Sequence, residues 1–336
     1  MDKTTLISGA NAGLGFEAAR QLLSRSDERV LLTVRSEEKA LAAVAQLRRQ
    51  TRADADRVDY VTLDLMDPAS VEAALKALEG KKISLDGVVL NAGGVAPFED
   101  GGLPRTPEGD TTMFAMNVGG HVRLLHGLLA RGLLGARASV VFSSSEVCRG
   151  IPVMGAAPAA LPPHEGSLEE RVLRAARGDH LGSETPDPLA EYGLVKLLGT
   201  AWMRYLAAAH SEHRFYAISP GASAGTNGTK NMPLLMGLMM KYVMFPTFRM
   251  MGRAHGVRMG AARYLDGLDG SGLESGHFYA SPYPHMSGPL VRQEAEHQPL
   301  LEEEALIEAV GRVFEDLAPS RGTAVPSASE RTALPA

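Results

Sequence analysis

Short apolar runs alternate with longer amphipathic segments over the first two thirds of the chain. Short apolar runs predict strands, and apolar positions that recur with a helical period predict helices. The predicted strands cover residues 4–8, 30–34, 58–63, 87–90, 138–142 and 214–218, and the predicted helices cover residues 14–24, 37–49, 68–78, 111–134, 168–177, 191–209 and 302–316. This alternation indicates an α/β fold in which a doubly wound parallel sheet carries helices on both faces.

The alternation is interrupted between residues 146 and 189, a stretch rich in proline, glycine and alanine. We expect this stretch to be an insertion in a single domain that spans residues 1–316. Residues 317–336 are rich in serine, proline and alanine and are expected to form a disordered tail.

Bulk composition narrows the possible partners. The chain of 336 residues has a formal net charge of −5, so we expect neither a nucleic acid nor an anionic membrane surface as partner. Its single cysteine, Cys148, excludes an intramolecular disulfide and fits a reducing compartment. No apolar segment is long enough to predict a transmembrane helix, and no signal segment is recognised at the N-terminus. We therefore expect a cytoplasmic protein.

A glycine-rich turn follows the first predicted strand and leads into the first predicted helix. Glycines there allow backbone N–H groups to approach a pyrophosphate at the helix N-terminus, as in Rossmann-type dinucleotide-binding domains. The alternative is that the glycines only allow close packing of helix and strand. The candidate cofactor-binding residues of this turn are Gly9, Asn11, Ala12, Gly13, Leu14 and Gly15.

Arg35 indicates the type of dinucleotide. An acidic residue at the end of the second strand usually binds the ribose diol of NAD, but this strand ends in Val34 and Arg35. Valine cannot accept that hydrogen bond, whereas a guanidinium suits a phosphate group. The sequence therefore favours NADP(H), although Arg35 could also be an exposed residue that opens the next helix.

Polar residues also follow the third and fourth predicted strands. Asp64 ends the third strand, and Asn91, Ala92 and Gly93 end the fourth. Open α/β sheets bind ligands at the carboxyl ends of their strands. Asp64 could equally cap the helix that begins at Pro68, and Asn91 could be a turn former.

Tyr192 and Lys196 lie four residues apart and therefore on one face of a predicted helix. A free phenol has a pKa of ~10, and a nearby ammonium together with an oxidised nicotinamide would lower that pKa toward neutrality. The pair is thus a candidate for acid–base chemistry. The alternative is an ordinary helix face with a lysine that extends to solvent.

Taken together, these motifs resemble the short-chain dehydrogenase/reductase family over about residues 3–225. The pattern is similar to carbonyl-reductase-like and retinol-dehydrogenase-like members with a long insertion before the active-site tyrosine. The motifs that carry the resemblance, in the family's order, are Ser8 to Gly15, Asp64-Leu65, Asn91-Ala92-Gly93, Asn117, Ser143-Ser144-Ser145, Tyr192 to Lys196 and Pro220-Gly221.

The resemblance implies a role for each catalytic residue. It implies that Tyr192 is the acid–base group and that Lys196 binds the nicotinamide ribose and lowers the pKa of the tyrosine. It implies that Ser145 hydrogen-bonds the substrate carbonyl, with Ser144 as the alternative, and that Asn117 supports a water path to solvent.

The resemblance also extends the cofactor site and indicates how the chain assembles. It adds Leu65, Pro220, Gly221 and Thr226, although Thr226 comes one residue later than the family's threonine. Because residues 146–191 intervene between Ser145 and Tyr192, we expect the insertion to obstruct tetramer formation and leave a monomer or homodimer. The methionine-rich residues 226–255 correspond to the family's substrate lid, or pack on the body of the domain, and suggest a bulky, apolar substrate.

The predicted function is NADP(H)-dependent interconversion of a carbonyl and an alcohol. Three alternatives remain open: reduction of an enone double bond on the same fold, a non-catalytic NADP-responsive regulator, and a serine hydrolase. The hydrolase is suggested by the GxSxG pattern of residues 221–225, in which Ser223 would be the nucleophile. Scattered histidines without metal-ligand spacing predict no metal site.

Overall fold

The computed structural model describes residues 3–96, 103–181, 187–224, 254–270 and 272–317. Its strands are β1 (Lys3–Ser8), β2 (Glu28–Val34), β3 (Val58–Thr62), β4 (Leu85–Leu90), β5 (Leu134–Ser143), β6 (Arg214–Ile218), β7 (Ser223–Ala224), β8 (His255–Gly256), β9 (Phe278–Ala280) and β10 (Val291–Arg292). Its helices are α1 (Gly13–Leu23), α2 (Glu37–Thr51), α3 (Pro68–Gly80), α4 (Thr112–Phe114), α5 (Gly120–Ala130), α6 (Leu168–Arg177), α7 (Pro188–Ala209), α8 (Val257–Asp269) and α9 (Glu304–Leu317).

The described strands form an eight-stranded sheet in the order β3-β2-β1-β4-β5-β6-β9-β10, beside a separate pair of β7 and β8. Neighbouring strands of the sheet are parallel except β9 and β10, which are antiparallel. The predicted doubly wound parallel sheet is therefore confirmed. Because the strands from β1 to β6 run in one direction, their carboxyl ends meet at one edge of the sheet.

Alternate residues of each central strand pack into two separate cores, one on each face of the sheet. In β1, Leu6 belongs to one core and Ile7 to the other, and both side chains are fully buried. The same alternation occurs in β4 at Val88 and Val89. Burial on both faces is why these strands read as continuous apolar runs in the sequence.

One predicted helix is wrong in its boundaries. The prediction of a single helix over residues 111–134 corresponds to α4, a π-helical turn over Ala115–Gly119, and α5, which ends at Ala130. Gly132 has a positive φ of 62° and redirects the chain into β5, which begins at Leu134 instead of residue 138. The start of β5 escaped prediction because residues 134–137 are half-buried or exposed and lack the apolar pattern of a strand.

The sequence did not predict α8, β9 or β10. The two strands have three and two residues, which is too short for a period to emerge. In α8, Met259 is exposed while Arg263 is buried, so its apolar residues do not mark the face that packs on the protein. By contrast, α6 has the predicted bounds, and its capping box of Ser167 and Glu170 gives it a clear start.

Two predicted segments cannot be compared with the structure. The predicted lid over residues 226–255 lies outside the described residues except for its last two, and the predicted tail over residues 317–336 does so except for Leu317. Among the helices of the described ranges, none is long and apolar enough to cross a membrane.

The C-terminal helix α9 packs on α5, α6 and α7. Phe314 of α9 is fully buried, with its ring centroid 5.6 Å from that of Phe114 and 6.0 Å from that of Trp202. His126 of α5 stacks on the same Trp202 indole at 5.9 Å. These edge and stacking contacts attach the end of the described chain to the core.

Replacing Phe314 by alanine is expected to lower the free energy of unfolding by about 3–5 kcal/mol, because it removes a fully buried aromatic ring and leaves a cavity. Urea unfolding followed by circular dichroism measures the change. Glu308→Ala on the same helix is the control, since that side chain is 56% exposed. Equal effects of the two substitutions would show that α9 is not anchored through Phe314.

Candidate active site

The turn between β1 and α1 presents an uncapped helix N-terminus. Ala12, the residue before α1, is extended and makes no side-chain cap hydrogen bond, and the first turn of α1 contains no acidic residue. The first N–H groups of α1 therefore keep their capacity to bind an anion. Gly15 allows the turn to pack closely on β4, since a Cβ there would lie 2.6 Å from the Asn91 amide nitrogen and 2.8 Å from the Gly9 carbonyl oxygen.

The Ser8 hydroxyl at the end of β1 fixes the loop that leaves β4. Its Oγ accepts hydrogen bonds from the backbone N–H groups of Asn91 (2.8 Å) and Ala92 (2.9 Å). The Asn91 side-chain amide donates to the Ser8 carbonyl oxygen at 2.9 Å. Asn91 therefore links the end of β4 to the end of β1. Its role goes beyond forming a turn, which was the other interpretation that its sequence context allowed.

Asn117 lies in the π-helical turn and binds the next part of the same loop. Its amide nitrogen donates to the carbonyl oxygens of Gly94 (2.8 Å) and Met113 (2.9 Å), and its amide oxygen accepts from the Gly94 N–H at 3.0 Å. A Cβ on Gly93 would lie 2.3 Å from that amide oxygen. Glycine at this position is therefore required for the β4 loop to reach Asn117.

His121 joins these two groups and was missed as a candidate site residue. Its Nδ1 lies 3.0 Å from the Asn117 carbonyl oxygen and its Nε2 lies 2.9 Å from Ser8 Oγ. Because a carbonyl oxygen can only accept, Nδ1 carries the proton and Nε2 accepts from the Ser8 hydroxyl. Burial lowers the pKa of His121 to about 3, so the imidazole stays neutral. Its position four residues after Asn117, on one helix face, was the available sequence signal.

Arg35 and Asp64 follow β2 and β3 at the same sheet edge. The Arg35 side chain is exposed and makes no hydrogen bond or ion pair with the described residues. Asp64 accepts from the Met66 N–H at 3.0 Å through Oδ1, whereas the residue that caps α3 is Asp67, which accepts from the Ala69 N–H. The alternative interpretation of Asp64 as the helix cap is therefore wrong.

The three consecutive serines at the end of β5 have different partners. Ser143 Oγ lies 2.7 Å from the Tyr264 hydroxyl, and Ser144 Oγ lies 2.7 Å from Thr200 Oγ1. The Ser145 hydroxyl lies close enough to the Tyr192 phenol to lower its pKa, and it also caps a 3₁₀ turn over Glu146–Arg149. Among the three, Ser145 is therefore the hydroxyl that the fold places at Tyr192, in preference to Ser144.

Helix α7 positions Tyr192 and Lys196 against the end of β5. Lys196 Nζ donates to the Ser143 carbonyl oxygen at 2.8 Å and lies 5.4 Å from the centroid of the Tyr192 ring. It also lies 4.9 Å from the centroid of the Phe142 ring. The structure thus gathers Ser145, Tyr192 and Lys196 although residues 146–191 separate them in the sequence.

Burial shifts the pKa values of Tyr192 and Lys196. Desolvation lowers the pKa of Lys196 to about 7. Burial also raises the pKa of the Tyr192 phenol above its usual value, the nearby Ser145 hydroxyl lowers it, and the Glu146 carboxylate raises it. A protonated phenol beside a lysine that titrates near neutrality is an arrangement that can hand over a proton.

The turn after β6 completes the sheet edge. Gly221 has a φ of 72°, and its N–H donates to Ser219 Oγ at 3.2 Å. Thr226, the remaining predicted cofactor residue, lies outside the described residues. Ser223 lies in β7 and donates to the Pro220 carbonyl oxygen at 3.1 Å, whereas the nucleophile of a GxSxG elbow lies on a sharp turn between a strand and a helix.

The described residues fit a dinucleotide. The uncapped N-terminus of α1 suits a pyrophosphate, and the exposed Arg35 suits a phosphate on the ribose. Within the ranges that the structure describes, no three His, Cys, Asp or Glu side chains are grouped to hold a metal ion. The buried Glu146 and Arg263 beside the Gly221 turn were also missed by the sequence analysis, because their partners come from distant parts of the chain.

Residues 3–160 match the family model of the short chain dehydrogenases. A solved short-chain type dehydrogenase/reductase from Mycobacterium ulcerans has a similar fold, with a TM-score of 0.59 and 18% identity. That match covers 91% of this chain and 98% of the solved one.

Curated relatives match shorter stretches. The 3-keto-steroid reductase of Schizosaccharomyces pombe is 42% identical over 100 residues, which are 27% of this chain and 30% of the relative. The (+)-neomenthol dehydrogenase of Capsicum annuum is 34% identical over 97 residues, which are 27% of this chain and 31% of the relative. The chain thus spans about a third of the length of each of these two relatives.

Lys196→Met is expected to change how the stability of the cofactor-free protein depends on pH. The folded protein holds the Lys196 pKa near 7, below the value of 10.5 for a free lysine, so the wild type loses stability as pH falls from about 10 to 7. The variant lacks this loss. Its unfolding free energy relative to wild type should therefore be more favourable at pH 7 than at pH 9.5, by about 1–3 kcal/mol.

Urea titrations at the two pH values measure this difference. Lys76→Met, at a side chain that is 71% exposed on α3, is the control and should show no such trend. A difference that is the same at both pH values would contradict the assigned burial of the Lys196 ammonium.

Proposed function

We propose that the chain is a short-chain dehydrogenase/reductase that interconverts a carbonyl and an alcohol with NADP(H). The observation that carries the proposal is the meeting of Ser145, Tyr192 and Lys196 at the end of β5. NADPH would supply the hydride, and the residues of the chain would orient it, bind the substrate and move the proton.

In this proposal the Tyr192 hydroxyl donates the proton to the substrate oxygen. Ser145 donates a hydrogen bond to the same oxygen and so stabilises the charge that develops on it. Lys196 holds the ribose hydroxyls of the bound cofactor, and its ammonium favours the phenolate that remains after proton transfer. A proton from solvent then replaces the one that Tyr192 has lost, moving along the water path that Asn117 supports and past Lys196.

We propose NADP(H) as the cofactor because of the end of β2. Arg35 is exposed at the carboxyl end of β2, where its guanidinium would suit a phosphate on the adenosine ribose, and the Val34 side chain offers no acceptor for a ribose diol. The candidate pyrophosphate contacts are the backbone groups from Gly9 to Gly15, with Asp64, Leu65 and the loop from Asn91 to Gly93 beside the adenine and ribose.

A bulky, apolar substrate is supported by the surface that follows Ser145 in the sequence. Val153 and Met154 are 58% and 52% exposed, and Tyr283, which contacts Arg149 of the Ser145 turn, is 40% exposed. The names of the two curated relatives refer to a steroid ketone and a menthol, both of which are apolar.

We propose a monomer or homodimer. The helices α6 and α9 lie on α7, so they occupy a helix face that would otherwise be free for a second subunit. A cytoplasmic location stays a prediction from the sequence.

Tyr192→Phe is expected to lower turnover of a carbonyl substrate by a factor of about 10²–10⁴, because it removes the proton donor and little else. NADPH oxidation followed by absorbance measures turnover, and fluorescence titration should show nearly unchanged NADPH binding. Tyr205→Phe is the control, since Tyr205 bonds Glu315 on α9, away from the site. Turnover unchanged by Tyr192→Phe would rule out the proposed proton donor.

Arg35→Ala is expected to weaken NADPH binding by about 10–100-fold and NADH binding far less, because a charged hydrogen bond to the 2′-phosphate is lost. Dissociation constants for both cofactors from fluorescence titration measure the effect. Arg29→Ala, at the opposite end of the same strand, is the control. Equal losses for the two cofactors would refute the phosphate contact.

A further inference from the structure

A buried carboxylate, that of Glu146, directly follows Ser145 in the sequence. Glu146 is the first residue of the 3₁₀ turn that Ser145 caps, and it is only 4% exposed. A buried carboxylate is costly unless it is paired and hydrogen-bonded, so its partners indicate what it does.

The partners of Glu146 come from two other parts of the chain. Its Oε2 accepts a hydrogen bond from the Ser219 hydroxyl, one residue before Pro220. Its Oε1 accepts from the Ser281 backbone N–H (3.2 Å) and hydroxyl (2.9 Å), and lies 3.5 Å from Arg263 Nη1 of α8. The carboxylate is therefore shared between the β6 exit turn, the segment after β9 and α8.

Arg263 also hydrogen-bonds the β6 exit turn and the segment after β9. It is 2% exposed and donates to the Ser219 carbonyl oxygen (2.9 Å), the Ser281 hydroxyl (2.9 Å) and the Gly288 carbonyl oxygen (3.0 Å). A Cβ on Gly221 would lie 2.9 Å from Arg263 Nη1, so the guanidinium packs directly against that turn.

A directed hydrogen-bond chain follows from these contacts. The Gly221 N–H donates to Ser219 Oγ, and the Ser219 hydroxyl donates to Glu146. Only an acceptor can end this chain, and an ionised carboxylate is the acceptor that also balances the charge of Arg263.

We propose that Glu146 is a positioning residue whose buried carboxylate ties the turn that carries Ser145 to the turn at Pro220 and Gly221. This inference rests on the proposed function, in which Ser145 binds the substrate oxygen, and on the expected place of Pro220 and Gly221 in the cofactor site. Glu146 then fixes the distance between the two reactants without touching either of them.

The same carboxylate acts on the proton donor through space. The titratable groups whose pKa values respond to the charge of Glu146 are Tyr192 on α7, Arg263 and Tyr264 on α8, His255 on β8, and Cys148 and Arg149 on its own turn. Burial raises the pKa of Tyr192 most, and the Glu146 charge raises it further. Removing that charge should therefore lower the pKa at which Tyr192 loses its proton.

Glu146→Gln keeps the size of the side chain and removes its charge. We expect the pH midpoint of kcat/KM for alcohol oxidation, which needs the phenolate, to move to lower pH by about 0.5–1 unit. We also expect the NADPH dissociation constant, measured by fluorescence titration, to rise several-fold, because an amide cannot both accept from Ser219 and balance Arg263.

The Glu146→Asp substitution changes the position of the carboxylate but keeps its charge. It keeps the carboxylate but shortens its reach by one methylene, so we expect the NADPH dissociation constant to rise while the pH midpoint stays at the wild-type value. This variant also keeps the inference testable if Glu146→Gln does not fold.

Glu28→Gln is the matched control. Glu28 is also 4% exposed, but it lies at the start of β2, at the sheet edge opposite the candidate site. The Glu28→Gln substitution should leave both the pH midpoint and NADPH binding unchanged. A change in this variant would show that the loss of any buried carboxylate has the same effect.

An unmoved midpoint in Glu146→Gln, or wild-type NADPH binding in Glu146→Asp, would overturn the inference, as would an equal shift in Glu28→Gln. Failure of the proposed function looks different. In that case the wild type has no NADPH-dependent turnover, and the NADPH titrations of the Glu146 variants still decide whether this residue ties the two turns together.

Discussion

The close contact between helix α7 and the end of β5 is the constraint on which the candidate site depends. Two glycines on α7 make it possible: a Cβ on Gly193 would lie 3.0 Å from a methyl group of Val147, and one on Gly199 would lie 2.3 Å from the Phe142 ring. Larger side chains at either position would push the helix away from the strand. At the distance that the glycines allow, Tyr192 reaches Ser145 and Lys196 reaches the Ser143 carbonyl oxygen, and both groups lose water in doing so.

The sequence was sufficient for those parts of the fold that depend on local patterns. The apolar runs of β1 to β6 and the capped helix α6 were predicted because each carries its own period or end signal. Helix α8 and strands β9 and β10 were not predicted, since short strands and a helix with a buried arginine follow no such period. Residues 111–134 were predicted as one helix because periodicity does not record a π-helical turn or the break at Gly132.

The candidate site was likewise predictable from the sequence only in part. The positions of Tyr192 and Lys196 on one helix face, and of the glycine turn before α1, follow from spacing along the chain. The roles of His121 and Glu146 do not, because each binds groups that are far away in the sequence: His121 meets Ser8, and Glu146 meets Ser219, Ser281 and Arg263. Polar groups buried in this way are recognised only from the hydrogen bonds that satisfy them.

The packing of α9 also gives the molecule a built-in optical probe. The chain has one tryptophan, and this residue, Trp202, is fully buried between the His126 ring and Phe314. Indole emission from the whole protein therefore originates at a single place beneath the C-terminal helix. Release of α9 would expose the indole to water and change the colour of that emission, so detachment of this helix can be followed without a label.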